Sequence, residues 1–500
     1  MKLKKVKNFI IEFNKSPISS QGFFWNDDFA KATMETGQTY IIGYIYNEDL
    51  NNCKDGEYVI INYLKDAINI VNDSFSTYPI FIFQEKEKVL ISNSIKIINQ
   101  FSNRPLTLNG DKIYSYFSIG YNIVGETLYK DIKYLKPGSE ILIKNELVIK
   151  NKQLNRFEKN NKNDLKVKKI FKLFKEALIH KIKIIEHKES VFGLTGGYDS
   201  LLGLLFLKEL GLELSTVTMG EETCQDIIQA RRRSKIISKN NNHIQIFPEH
   251  LNINHEDLEL ISEISGGMTT FGAVYSYKMQ KILKENYGYK NFLDCSHFEI
   301  LRKKINTLEL FIERYNTPMS VVRRFIKDIN SYQSSIQKNL DILKDEYGSR
   351  YIEKFYHYDR NAQGQHWKSL IMNFLFGLRI TLIHDNHLLR ALLNTDQNHY
   401  WDLMSKISKN SELDLKIEKV HLSEAAKDLP FNNFELIYKE KDYFVDLFES
   451  DLAKQLSYHI NISQIQSCIK NEKLMDLEDW FVLRLGSLLS FCNNNQIIIS

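Results

Sequence analysis

The sequence predicts a chain of two unlike parts: a turn-rich strand domain, then an α/β domain with a parallel sheet and many helices. Three observations predict it. Five hundred residues exceed what one hydrophobic core usually holds. From about Thr39 to Lys150 the apolar residues fall in short β-branched and aromatic runs separated by turn residues, whereas beyond Leu165 they fall at helical spacing. Within the second part, strand, helix and strand follow one another as in a βαβ unit.

In the first part Thr39 to Tyr46, Tyr78 to Gln84 and Lys88 to Asn93 read as strands, the last two able to pair. Glu140 to Ile143 and Glu146 to Ile149 flank Lys144-Asn145, a hairpin turn, and Pro137-Gly138 turns the chain into them. Residues 151–164 are polar, dominated by Asn and Lys, and read as a linker. The domains are accordingly expected at 1–155 and 156–500. In the second part Leu165 to Ile185 is helical, Val191 to Leu194 a short apolar strand, Leu201 to Leu210 a helix and Leu214 to Met219 a second strand. Long helical patterns continue almost to the end.

With 43% hydrophobic and 12% aromatic residues there is ample material for two cores. Lys+Arg 66 against Asp+Glu 62 leaves a net charge of +4, which gives no reason to expect nucleic acid. Cys53, Cys224, Cys295, Cys468 and Cys492 are odd in number and form no C-x-x-C pair, so neither a disulfide framework nor a zinc site is indicated, and a reducing cytoplasm fits best. The basic start has too short an apolar stretch for a signal peptide, and no run approaches the length of a membrane span. The expectation is a cytoplasmic protein with no membrane partner; its oligomeric state is open.

The chemistry concentrates between the first strand and helix of the βαβ unit, at Thr195-Gly196-Gly197-Tyr198-Asp199-Ser200. Two glycines let the backbone turn sharply and approach a ligand. The loop opens a helix, whose first amides and dipole favour an anion. Thr195 and Ser200 add hydroxyl donors, and Asp199 is placed to hold Mg2+ on phosphates. No lysine follows the glycines, so this is not a Walker-type loop.

Leu194 to Ser200 resembles the S-G-G-x-D-S pyrophosphate loop of the asparagine synthetase family, which includes β-lactam synthetases and lasso-peptide cyclases. Thr216-Val217-Thr218-Met219-Gly220, Asp226 to Arg231 and His243 resemble its second element. In the front half Asp73 to Ile80, Ile91 to Ser94 and above all Thr127 to Gly138 resemble landmarks of the family's glutaminase domain. The resemblance implies an α+β Ntn-hydrolase-like sandwich followed by an α/β PP-loop ATP pyrophosphatase domain of the adenine nucleotide alpha hydrolase type. It implies that Leu194 and Met219-Gly220 hold the adenine of ATP, that residues 195–200 hold its phosphates, and that Asp226 and His243 are structural.

The chain also departs from the family. A working glutaminase half needs a cysteine directly after the initiator methionine, whereas here Met1 is followed by Lys2 and the first cysteine is Cys53. Glutamine cleavage is therefore not expected, and a substrate amine replaces ammonia, as in β-lactam synthetases and many lasso-peptide cyclases. The second magnesium carboxylate maps to Glu299 in Phe292 to Glu299, where the family's glycines are missing and its catalytic glutamate falls near Ser296. His297 is a candidate base for the attacking amine. The family's late catalytic lysine maps to Lys441, with Tyr443 in place of glycine.

These implications amount to an ATP-dependent ligase. A substrate carboxylate attacks the α-phosphate of ATP, giving an acyl-adenylate and pyrophosphate, and an amine then yields an amide and AMP. Asp199, Ser200 and Lys441 are the expected catalytic residues, ATP and Mg2+ the cofactors, and a peptide or small carboxylate with an amine the partners, in peptide or other natural-product biosynthesis. Two other readings stay open: adenylation of tRNA bases, and a degenerate nucleotide-binding or scaffold protein.

Overall fold

The structure is a computed structural model describing residues 3–15, 18–25, 30–45, 55–119, 122–151, 166–182, 189–235, 242–301, 324–348, 351–355, 362–375, 377–393, 400–410, 433–473 and 479–499. The expected linker, Met1-Lys2 and Cys53 lie outside these residues. Mixed α and β structure fills the rest, in several sheets.

The front half contributes β1 (Leu3–Lys5), β2 (Asn8–Lys15), β3 (Ile18–Trp25), β4 (Lys31–Thr33), β5 (Gln38–Ile45), β6 (Gly56–Tyr63) and β7 (Ile68–Asn72). They are followed by β8 (Phe81–Gln84), β9 (Lys88–Ser92), helix α1 (Ile95–Phe101), β10 (Thr107–Leu108), α2 (Gly110–Ile119), β11 (Ile132–Tyr134), β12 (Ser139–Ile143) and β13 (Leu147–Asn151). Two six-stranded sheets result, ordered β1-β5-β6-β7-β12-β13 and β11-β8-β9-β2-β3-β4. The expected pairing of β8 with β9 and the β12–β13 hairpin are both present.

Period-two alternation explains the layering. Phe9, Ile11 and Phe13 of β2 enter the core between the sheets with Tyr40, Ile42, Val59 and Ile61, while Ile10 faces the opposite way, into a core shared with α1. The strands before Thr39 were not expected from the sequence.

The second half opens with α3 (Val167–Ile182) and continues through β14 (Ser190–Gly193), α4 (Tyr198–Glu209), β15 (Ser215–Met219), α5 (Gln225–Ser234), β16 (His243–Ile246), α6 (His255–Ser265), α7 (Ala273–Tyr287) and β17 (Asn291–Asp294). Then come α8 (Ile329–Tyr347), α9 (Tyr351–Phe355), α10 (Ala362–Phe374), β18 (Leu378–Thr381), α11 (Asn386–Leu393) and α12 (Tyr400–Asn410). The chain closes with α13 (Asn433–Lys439), α14 (Lys441–Glu449), α15 (Asp451–Leu456), α16 (Ile462–Lys470), α17 (Asp479–Asn494) and β19 (Ile498–Ile499).

All pairings in the five-stranded sheet β16-β15-β14-β17-β18 are parallel. The chain winds outward from β14 through β15 to β16, then returns to the other side of β14 for β17 and β18. Such a reversal leaves a crevice at the carboxyl ends of the two central strands, where open α/β sheets bind ligands.

One hydrophobic core crosses the expected domain boundary. Ile95, Ile98, Ile113 and Phe117 of the front half share it with Leu485, Leu488 and Phe491 of α17. In addition, β19 pairs in parallel with β10. The three larger sheets divide near residue 155, but the packing and the β10–β19 pair do not.

Candidate nucleotide site

The 195–200 loop leaves β14 at that crevice. Gly197 is the N-cap of α4 and offers no side chain to the helix's first amides. Thr195 Oγ1 accepts the Gly197 N–H at 3.1 Å, and Ser200 Oγ accepts the Thr195 N–H at 3.1 Å. Ser200 Oγ also lies 2.9 Å from the Gly197 carbonyl and 3.0 Å from that of Thr195, so its one proton stays within the loop. The two hydroxyls expected to meet phosphate brace the loop instead.

Helix α5 grips the loop from outside. Asp226, in its first turn, accepts the Gly196 N–H at 2.7 Å. Arg233 is fully buried, and its Nη1 donates to the carbonyls of Thr195, Gly196 and Gly197 at 3.2, 2.6 and 2.9 Å. With those oxygens held on one guanidinium, the loop turns no carbonyl toward an anion at the head of α4. Asp226 is thus structural, as expected, and Arg233 was missed. Its signal was the spacing: seven residues are nearly two helical turns, placing Asp226 and Arg233 on one face.

The neighbouring strand ends where expected, with less backbone to spare. The Leu194 N–H goes to Val217 and its carbonyl accepts the Thr218 hydroxyl, while the Gly220 N–H goes to Ile246 at 3.1 Å. Both backbone groups of Leu194 are thus engaged with β15, whose end at Met219 lies alongside. Gly220 has φ +151°, a conformation that favours glycine. His243 lies 2.8 Å from the Thr216 hydroxyl, and burial with Arg231 nearby pushes its imidazole down to about 4. Beyond Gly220 opens a cleft of about 510 Å3 lined by Glu221, Asn252, Tyr275, Glu435 and Lys439, among others.

On the other side of β14, Asp294 ends β17. Burial opposes its ionisation, but Arg379 of β18 at 2.8 Å and nearby Lys368 hold the carboxyl at about 2. Lys368 Nζ, on α10, lies 3.3 Å from Ser296 Oγ. The thiol of Cys295 is pushed up by burial and by the charges of Asp294 and Asp199, which locates Asp199 near this loop. Cys295 also packs on α4: a Cβ added to Gly203 would stand 2.3 Å from its Sγ. His297 adopts φ +70°, a left-handed bend of the kind glycine favours.

Two expected residues stand differently. Glu299 falls in the single 3-10 turn Phe298–Leu301, but its side chain lies outside the described part of the structure. Among the described contacts Lys441 Nζ reaches Glu472 at 2.9 Å, in a partly exposed ion pair, and not the loop. From the same segment it is Lys439 that lines the cleft beyond Gly220, its Nζ donating to the Ile253 carbonyl at 2.7 Å. Lys368 is the lysine set beside the β17 loop.

Phosphate fits the head of α4: beside Gly197 an added Cβ would meet only Thr195 Oγ1, at 3.2 Å. Among the described residues no group of three His, Cys, Asp or Glu side chains is arranged to hold a metal, so Mg2+ there would take phosphate oxygens besides Asp199. The described cysteines are all free, and among the described residues no helix is long and apolar enough to cross a membrane. No protein-family model matches the chain, and no curated protein matches it in sequence.

Proposed function

We propose that the chain is an AMP-forming carbon–nitrogen ligase of the asparagine synthetase type, which activates a carboxylate with ATP and passes the acyl group to a substrate amine. One observation carries the reading. The Thr195-Gly196-Gly197-Tyr198-Asp199-Ser200 loop stands at the carboxyl end of the central strand of a parallel sheet, at its switch point, with its carbonyls held away on Arg233. The loop and the first turn of α4 would seat the phosphates, and Asp199 would carry Mg2+, which neutralises charge on the departing pyrophosphate. Lys368, as the cation beside the β17 loop, would steady the departing pyrophosphate. The front sandwich, read as a glutaminase-like domain, would support the synthetase half through the core it shares with α17.

A second reading has its own observation. The amides of Thr195, Gly196 and Gly197 are already met by Ser200, Asp226 and Thr195, as in a loop that serves the fold alone. A nucleotide-binding or scaffold protein would keep that arrangement.

The test is pyrophosphate release and AMP formation from ATP and Mg2+ with a panel of carboxylates, for the parent protein and Asp199→Ala. Carboxylate-dependent AMP that disappears in the variant is the expected result. ADP as product rejects the mechanism. Tight ATP binding without turnover across the panel favours the binding protein.

A further inference from the structure

The two halves of the chain meet around buried ionisable side chains that the proposed reaction leaves without a role. Glu57, on β6, is fully buried, and its Oε1 accepts the backbone N–H of Thr381, at the end of β18, at 2.8 Å. The same oxygen lies 3.4 Å from Nδ1 of His384, itself fully buried. The other ring nitrogen of His384, Nε2, is 2.6 Å from Nδ1 of His297. Phe75 of the front half stacks on the His384 ring, centroids 3.9 Å apart and planes 10° off parallel. A carboxylate of the first half thus reaches, through two imidazoles, the loop that follows β17.

The far end of this chain of contacts is strained. His297 has φ +70°, a left-handed conformation that a residue with a Cβ rarely adopts. Such strain persists where the surroundings over-determine it. The contact to His384 is one such constraint, and Glu57 with Phe75 fixes His384. The proton order is also constrained, because each neutral imidazole carries one N–H. Nε2 of His384 and Nδ1 of His297 stand at hydrogen-bond distance, so one of these two nitrogens carries the proton and the other accepts it.

We propose that Glu57 is a positioning residue of the synthetase site, fixing the ring of His297 through His384 and with it the 295–299 loop. The word "site" rests on the function proposed above. The coupling itself does not. It gives the front half a working part in the chemistry of the second: its sheet supplies the buried carboxylate that sets a loop at the nucleotide crevice.

Glu57→Gln keeps the shape and an acceptor for Thr381 but removes the charge. The experiment follows the imidazole 15N signals of His384 and His297, and amide exchange over residues 295–301, in the parent and the variant. In the parent one nitrogen of the His384 Nε2–His297 Nδ1 pair is expected to be protonated and the other not. In the variant the His297 signals change although it does not touch Glu57, and exchange rises in 295–301 but not in α4. Unchanged His297 signals with unchanged loop exchange overturn the proposal.

Where carboxylate-dependent AMP formation is found, kcat is expected to fall about tenfold to a hundredfold with the KM for ATP little altered. An unchanged kcat refutes the positioning role and leaves the ligase reading standing. A parent protein with no AMP formation refutes the ligase reading, and the two spectroscopic measurements still decide the coupling. Should Glu57→Gln fail to fold, His297→Asn tests the link from the other end, because Asn tolerates the left-handed backbone. The His384 signals must then shift, and unchanged signals overturn the proposal.

Discussion

Asp226 and Arg233 stand on one face of α5 and hold opposite polarities of the same loop, the carboxylate taking the Gly196 N–H and the guanidinium taking the carbonyls of Thr195, Gly196 and Gly197. The loop's shape is therefore set by a helix two elements later in the chain, and substituting that helix should disturb the loop before anything else.

Arg233→Lys tests this. A lysine keeps the charge, but its head group ends one bond short of the position from which Nη1 donates to the three carbonyls. Because the site is fully buried, the orphaned acceptors should cost about 2–4 kcal/mol of stability. Denaturant unfolding measures the loss, and nucleotide protection against it should vanish in the same variant. A variant within about 0.5 kcal/mol of the parent would mean that the loop holds itself.

Gly203→Ala probes the seam between α4 and the β17 loop. Alanine favours a helix by about 1 kcal/mol over glycine. Here its Cβ would stand 2.3 Å from Cys295 Sγ and 3.1 Å from Leu382 Cδ1, so overpacking should win, at a net cost of about 1–3 kcal/mol. Adding Cys295→Ala removes the offending sulfur and should recover part of that loss. Equal stability of the single and double variants would show that the seam relaxes by other means.

The two candidate lysines separate cleanly by substitution. Lys441 is paired with Glu472, whose side chain is half exposed, and an ion pair of that kind contributes at most about 1 kcal/mol. Lys441→Ala should therefore leave both stability and AMP formation nearly unchanged. Lys368→Ala removes the cation beside Ser296 and Asp294 and should lower kcat by about 10²–10³. The reverse pattern in a kcat comparison would return the catalytic role to Lys441.

Burial raises the Glu57 carboxyl from 4.5 to about 7, against the pull of Lys181 and Arg379. A group whose folded value is raised contributes stability that is complete below its unfolded value and lost as pH rises through the folded one. Between about pH 4.5 and 7 the parent should therefore lose ground to Glu57→Gln, which does not titrate. Lys181 is lowered to about 8, so its contribution changes above this window, between about 8 and 10.5. Unfolding midpoints of both proteins at pH 5, 6.5 and 8 give the difference, and a flat difference would rule out the burial cost.

Local features were readable in the sequence. The β12–β13 hairpin, the strand–helix–strand from Ser190 to Met219 and the glycine loop each declare themselves within a few residues, through turn chemistry and periodicity. The hairpin turn spans one residue more than expected, since Ile143 pairs with Leu147.

Features defined by distant partners were not readable. Strands β2 and β3 lie before the first stretch that read as strand, and their burial depends on β9 and on the facing sheet. Glu57 reads as a surface glutamate until Thr381 and His384 are folded against it. Arg233 sits in a run of three arginines, where charge alone suggests a solvated face. Lys441 stands out in the sequence because its segment resembles a catalytic one, and in the fold its Nζ pairs with Glu472.

The short parallel pairing of Ile498–Ile499 with Thr107–Leu108 has a consequence for synthesis on the ribosome. The front half, ending near residue 155, is made more than three hundred residues before its partner strand Ile498–Ile499, an interval of tens of seconds at ordinary elongation rates. Throughout that time α1 and α2 lack the apolar cover that α17 later supplies. The nascent front half thus keeps that apolar face uncovered until the far end of the chain arrives.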